Sequence, residues 1–206
     1  MTPERLVERA LAAYRDRIAL VDGDRRLSFG DLDERSARLA NAVLGLGASP
    51  TRPLAILVPN SLEYMEADVA AMRAGCTRVG INPRLAAEEW GYIIRDSGAA
   101  VLVVDRELLE QLDPADLEQV HGVLLVGGGS APAGPRAHSY EDALREASAT
   151  IGRRAIDPGD PSYILYTSGT TGRPKGAVHT NGSRVAAAVN MTSAELRLDA
   201  DSPTPG

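Results

Sequence analysis

Apolar residues recur along most of the chain in two rhythms, a helical one near every third or fourth position and a strand-like one of short continuous runs. Thr2 followed by Pro3 predicts an N-cap and first helical residue, and Leu6, Val7, Ala10, Leu11 and Tyr14 then share one helical face. Residues 18–21 and 26–28 flank Asp22-Gly23, a hairpin signal. Ser28 with Asp31 three residues on predicts a capping box, and Leu32, Leu39, Ala40, Val43 and Leu46 form a stripe that stops at Gly47. From there strands and helices are expected to alternate: strand 53–58, a helix capped by Asn60 or Ser61 and ended by Gly75, strand 77–81, and a break at Asn82-Pro83. Helix 87–96, strand 100–104, a helix over 108–117 interrupted near Pro114, and strand 122–126 complete the series.

Strands separated by helices of about ten residues argue βαβ units. The predicted fold class is α/β, a mostly parallel layered sheet with helices on both faces and right-handed crossovers. Gly127-Gly128-Gly129 does not make a dinucleotide fingerprint, because Pro132 occupies the position of the last glycine and no helix opens before about Ser139. A loop running to Ala137 is expected, then a short helix over 140–147 and a polar link, Asp157-Pro158-Gly159-Asp160-Pro161. Near the end, 183–196 reads as an alanine-rich helix with Val185, Val189 and Leu196 on related faces, and 199–206 reads as unstructured.

The link delivers the chain to Tyr163-Ile164-Leu165-Tyr166, an apolar run that opens into Thr167-Ser168-Gly169-Thr170-Thr171-Gly172-Arg173-Pro174-Lys175-Gly176. Glycines let a backbone approach an anion, hydroxyls and exposed N–H groups donate to it, and a lysine adds a compact positive charge. Lys175 is the sole lysine among 22 basic side chains, the rest being arginines, which suits a site that wants a point charge. The run is not a Walker loop, since Gly169 and Gly172 are too close and Gly176 follows the lysine where a hydroxyl residue is required. A kinase glycine-rich loop would need three glycines and a valine strand behind them.

Composition adds mainly exclusions. With 44% hydrophobic and 24% charged residues, 206 residues are enough for a sizeable core. A net charge of −6 with scattered arginines offers no stripe for nucleic acid. Cys76 is alone, which rules out an internal disulfide and a cysteine-built metal site, and its neighbours predict a buried small side chain. Met1-Thr2-Pro3-Glu4 does not start a signal peptide, no run is long enough to span a membrane, and the cytoplasm is the expected compartment. Glu88-Glu89 and Asp31, Asp33 and Glu34 read as solvated helix faces. His179 is open between packing or capping and a place near a nucleotide or acyl pocket.

Ser168 to Gly176 resembles the AMP-binding signature of the adenylate-forming superfamily, which holds acyl-CoA synthetases, peptide-synthetase adenylation domains and luciferases. Two weaker stretches occur in the family's order: Leu27-Ser28-Phe29-Gly30-Asp31-Leu32, and Met72-Arg73-Ala74-Gly75-Cys76 with Val79-Gly80-Ile81-Asn82-Pro83-Arg84 behind it. The Asn82-Pro83 ending is similar to acyl-CoA synthetases, where peptide-synthetase domains usually have Asp-Pro. The resemblance implies that a carboxylic acid, a fatty acid above all, attacks the α-phosphate of Mg-ATP, giving an acyl-adenylate and pyrophosphate, and that the thiol of coenzyme A then displaces AMP. It implies that Thr167, Ser168, Gly169, Thr170, Thr171, Gly172 and Lys175 hold the β- and γ-phosphates.

No catalytic residue and no magnesium ligand of the family falls within the chain. The adenine segment, the magnesium-binding acid, the ribose aspartate, the hinge and the small domain with its catalytic lysine would all lie further on. Residues 1–199 are therefore expected to be the incomplete N-terminal portion of the large domain and 200–206 a disordered tail. Such a piece is expected to have little activity by itself, with a C-terminal polypeptide as its complement. The alternative is a non-catalytic nucleotide-binding or interaction module. Four charge-assisted hydrogen bonds give on the order of 6–12 kcal/mol, against about 8–16 kcal/mol to order eight residues, so the loop is expected to become ordered only with nucleotide bound.

Overall fold

The computed structural model describes residues 1–128, 137–152, 154–167 and 173–191. Among these residues seven strands form the main sheet in the order β7-β6-β5-β3-β4-β8-β9. They are β3 (Leu54–Leu57), β4 (Arg78–Gly80), β5 (Val101–Asp105), β6 (Gly122–Val126), β7 (Ala137–Ser139), β8 (Pro161–Thr167) and β9 (Lys175–Thr180). All neighbours are parallel except β8 and β9, which form an antiparallel pair.

Strands buried on both faces should read as continuous apolar runs, and β3 and β5 do, with Leu54–Leu57 fully buried. Side-chain alternation then distributes each strand between two cores. Leu54, Ile56, Val101, Val103 and Leu124 face the helices α2 (Phe29–Gly45), α3 (Leu62–Ala74) and α6 (Tyr140–Glu146). Ala55, Leu57, Leu102, Val104 and Leu125 face the opposite side, with Trp90, Ile93 and Ile94 of α4 (Ala87–Asp96). A third, smaller core joins α1 (Pro3–Ala13) and the hairpin β1 (Ile18–Asp22) and β2 (Arg25–Ser28) to α2 and α3 through Leu11, Leu32 and Val69. The expected fold class, a mostly parallel sheet with helices on both faces, is the one observed.

Local rules place most boundaries. Ser28 Oγ accepts from the Asp31 N–H at 3.0 Å while the Asp31 carboxylate accepts from the Ser28 N–H at 3.0 Å, so α2 opens on the expected capping box. A hydrogen bond from the Ser28 hydroxyl to the carboxylate at 2.6 Å, and after it the one from the Ser28 N–H, hold the Asp31 carboxyl below its ordinary range. Ser61 rather than Asn60 caps α3, and Gly75 ends it in the left-handed conformation at φ +64°, which a side chain would strain. The break at Asn82-Pro83 is an Asn-turn: Asn82 Oδ1 accepts from the Arg84 N–H at 2.9 Å, and the Asn82 carbonyl accepts from Trp90 Nε1 at 3.1 Å.

Several expectations need correction. Thr2 precedes α1 but makes no side-chain cap; its hydroxyl donates to Glu4 instead. The first hairpin turns at Gly23-Asp24, with Asp22 paired to Arg25, one residue later than read. The interrupted helix over 108–117 is two pieces, α5 (Arg106–Leu109) and a 3₁₀ turn (Pro114–Leu117). The loop expected up to Ala137 gives way there to β7, and residues 129–136 of it lie outside the described residues. The last helix is α7 (Asn181–Asn190), which starts two residues earlier than expected; residues 192–206, including the expected tail, lie outside the described residues. No described helix is long and apolar enough to cross a membrane.

Candidate phosphate site at the β8–β9 turn

β8 runs parallel to β4, so its carboxyl end lies on the same edge of the sheet as the carboxyl ends of β3, β4 and β5, where open α/β sheets bind ligands. On that edge a cleft of about 590 Å³ is lined by Val58, Asn60, Tyr64, Asn82, Pro83 and Arg84 among others. Thr167 is the last residue of β8 and Lys175 the first of β9, and the two are register partners. Both side chains are exposed. Of the residues expected to hold phosphate, the structure thus brings these two together across one strand pair. Ser168, Gly169, Thr170, Thr171 and Gly172 lie outside the described residues, and with them the expected ordering of the loop.

His179 is on β9. Its ring stacks on Tyr163 with centroids 4.5 Å apart and planes 8° from parallel, a packing role. The guanidinium carbons of Arg78 and Arg184 each lie 5.5 Å from the Tyr163 ring centre. Asp68 of α3 accepts from Arg184 at 2.8 Å and is ion-paired with Arg78 at 2.9 Å, and Arg78 donates to Tyr64 Oη at 2.7 Å. This clasp fastens β4, β8 and α7 to α3.

The other face of the hairpin holds groups that the sequence did not single out. Tyr166 Oη donates to Asp96 Oδ2 at 2.7 Å, and Tyr92 Oη donates to the other oxygen of the same carboxylate at 3.1 Å. The guanidinium of Arg173 lies 5.4 Å from the centre of the Tyr92 ring. Partial burial and the Asp96 carboxylate raise the Tyr166 hydroxyl well above its ordinary range, and the same two causes raise Tyr92, so both remain donors at neutral pH. A Tyr and an Arg flanking a recognised loop, and a Tyr four residues before an Asp on one helix, were the only available signals.

Cys76 is buried, and burial pushes its thiol up to about 12, so it is no nucleophile. Among the described residues no group of three or more His, Cys, Asp or Glu side chains converges as a metal site.

The geometry defines an α/β protein whose β8–β9 pair ends at the carboxyl edge of the sheet with Lys175 exposed. The family model of AMP-binding enzymes matches residues 7–203, and the chain belongs to that family. It is 33% identical to a 3-hydroxybenzoate/4-hydroxybenzoate–CoA ligase of Thauera aromatica over 82% of this chain and 32% of that one. It is 32% identical to the long-chain-fatty-acid–CoA ligase FadD13 of Mycobacterium tuberculosis over 82% of this chain and 33% of that one. It is also 33% identical to surfactin synthase subunit 3 of Bacillus subtilis over 84% of this chain and 12% of that one. Among solved structures, the anthranilate CoA ligase AuaEII in complex with anthranoyl-AMP superposes with a TM-score of 0.80 at 28% identity, covering 88% of this chain and 35% of that one. The chain thus spans about a third of the length of the CoA ligases it matches.

Proposed function

We propose that this chain supplies the phosphate-holding part of an enzyme that activates a carboxylic acid with ATP and passes the acyl group to coenzyme A. In the first half-reaction a carboxylate oxygen attacks the α-phosphorus and pyrophosphate leaves; in the second a thiol displaces AMP. Residues 167–172 and Lys175 hold the β- and γ-phosphates, the charge that departs, so their contribution is positioning and electrostatic stabilisation. The observation that carries the reading is the register pair Thr167 and Lys175, which joins the two ends of the signature turn at the carboxyl edge of the sheet with the lysine exposed. Asn82-Pro83, held as a turn by Trp90, supports the CoA-ligase branch. Similar relatives are named for hydroxybenzoate and for long-chain fatty acids, so the class is carboxylic acids, with a long-chain fatty acid the first to assay. Among the described residues no three His, Cys, Asp or Glu side chains converge, and the residues of this chain are given no metal-holding role.

Calorimetric titration of the 206-residue chain with ATP and with pyrophosphate tests the reading. Loss of one charge-assisted contact in Lys175→Ala should weaken both by about tenfold or more. Equal affinities for wild type and Lys175→Ala would overturn it. The isolated chain is further expected to bind nucleotide without forming acyl-hydroxamate, since residues 1–199 are read as only part of a large domain.

A further inference from the structure

Two separate contacts connect the ends of the signature turn to one helix. At the incoming end, Tyr166, the residue before Thr167, donates to Asp96 at 2.7 Å. At the outgoing end, Arg173 lies over the ring of Tyr92, whose hydroxyl donates to the same carboxylate at 3.1 Å. Asp96 is the last residue of α4, where helix dipoles disfavour an acid, so its presence there is a cost to the helix that the two phenol donors offset. Both carboxylate oxygens are used, one per tyrosine, which leaves little freedom to rotate.

We propose that Asp96 is a positioning residue for the facing ends of β8 and β9: through Tyr166 it sets the end of β8, and through Tyr92 it sets the platform on which Arg173 rests, so that α4 holds Thr167 and Lys175 at a defined separation. The inference rests on the phosphate reading of that turn. Asp96 does not touch the phosphates in this role; it acts through the two tyrosines. Because α4 is anchored beneath the sheet by Trp90, Ile93 and Ile94, the clamp transmits the rigidity of the core to the ligand edge.

The test compares Asp96→Ala, Asp96→Asn and Tyr166→Phe with wild type, first by amide hydrogen exchange without nucleotide. Exchange at Thr167 and Lys175 should quicken about fivefold in Asp96→Ala and in Tyr166→Phe. It should stay near wild type in Asp96→Asn, which keeps an oxygen acceptor, and be unchanged in all three at Ile164 and Val178 in mid-hairpin. Titration with pyrophosphate should then show a similar loss of affinity in the first two variants, recovery in Asp96→Asn, and urea midpoints that do not follow the affinities. Exchange that rises uniformly along the hairpin, or does not change at its ends, overturns the clamp. Should Asp96→Ala fail to fold, Tyr166→Phe, which removes one oxygen, decides alone. The expected exchange pattern among the variants, together with no pyrophosphate binding by wild type, sinks the phosphate reading and leaves the clamp standing.

Discussion

Gly176 closes the signature turn, and its reason lies in packing. It pairs with Tyr166 across the β8–β9 ladder, and a Cβ placed on it would lie 2.8 Å from Ile164 Cγ2 and 2.9 Å from Tyr166 Cζ, closer than side chains pack. The missing side chain is therefore the space in which the Tyr166 ring lies while its hydroxyl reaches Asp96. Gly176→Ala must displace that ring, because the alternative is to part the two strands. Overpacking of this kind costs about 1–3 kcal/mol. The expected outcome is a lower urea midpoint together with weaker ATP binding, and the drop in midpoint caused by Gly176→Ala should be smaller when measured in a Tyr166→Ala background. A Gly176→Ala chain as stable as wild type would show that the ring has room the geometry does not give it.

At the level of elements, the clasp on Asp68 decides how α7 and the hairpin dock. Asp68, Arg78 and Arg184 are all largely buried, with side chains 13%, 17% and 20% exposed, and Asp68 is ion-paired with both cations. Truncating one member of a buried set leaves its partners uncompensated, so Asp68→Ala should destabilise by about 3 kcal/mol, more than an exposed pair would. Protease nicking near α7 should appear before global unfolding; stability within error of wild type would contradict the clasp. Most elements were legible beforehand because local chemistry agrees with their place: the Ser28–Asp31 box, the Ser61 cap and Gly75 each act within a few residues. β9 was not, because residues 175–178 are exposed and show no in-and-out alternation. Its strand conformation comes from pairing with β8, a contact beyond any local pattern. The same holds for Asp96, whose partner Tyr166 is 70 positions away.

Across the whole molecule, the two main cores are built on the same strands. Leu54 and Ile56 belong to the core under α2, α3 and α6, while Ala55 and Leu57, their immediate neighbours in β3, belong to the core over α4. β5 divides in the same way, with Val101 and Val103 on one side and Leu102 and Val104 on the other. Neither layer can lose its strands without removing one wall of the other, so the layers should unfold together. Trp90, the only tryptophan, lies in the α4 core and reports on that layer by fluorescence, while far-ultraviolet circular dichroism takes its two largest contributions from α2 and α3 in the opposite layer. In a urea titration the two signals should trace coincident transitions with one midpoint. If the Trp90 transition came at lower urea than the helical one, α4 would be a separately melting layer, and a clamp built on α4 could not hold the ligand edge rigid.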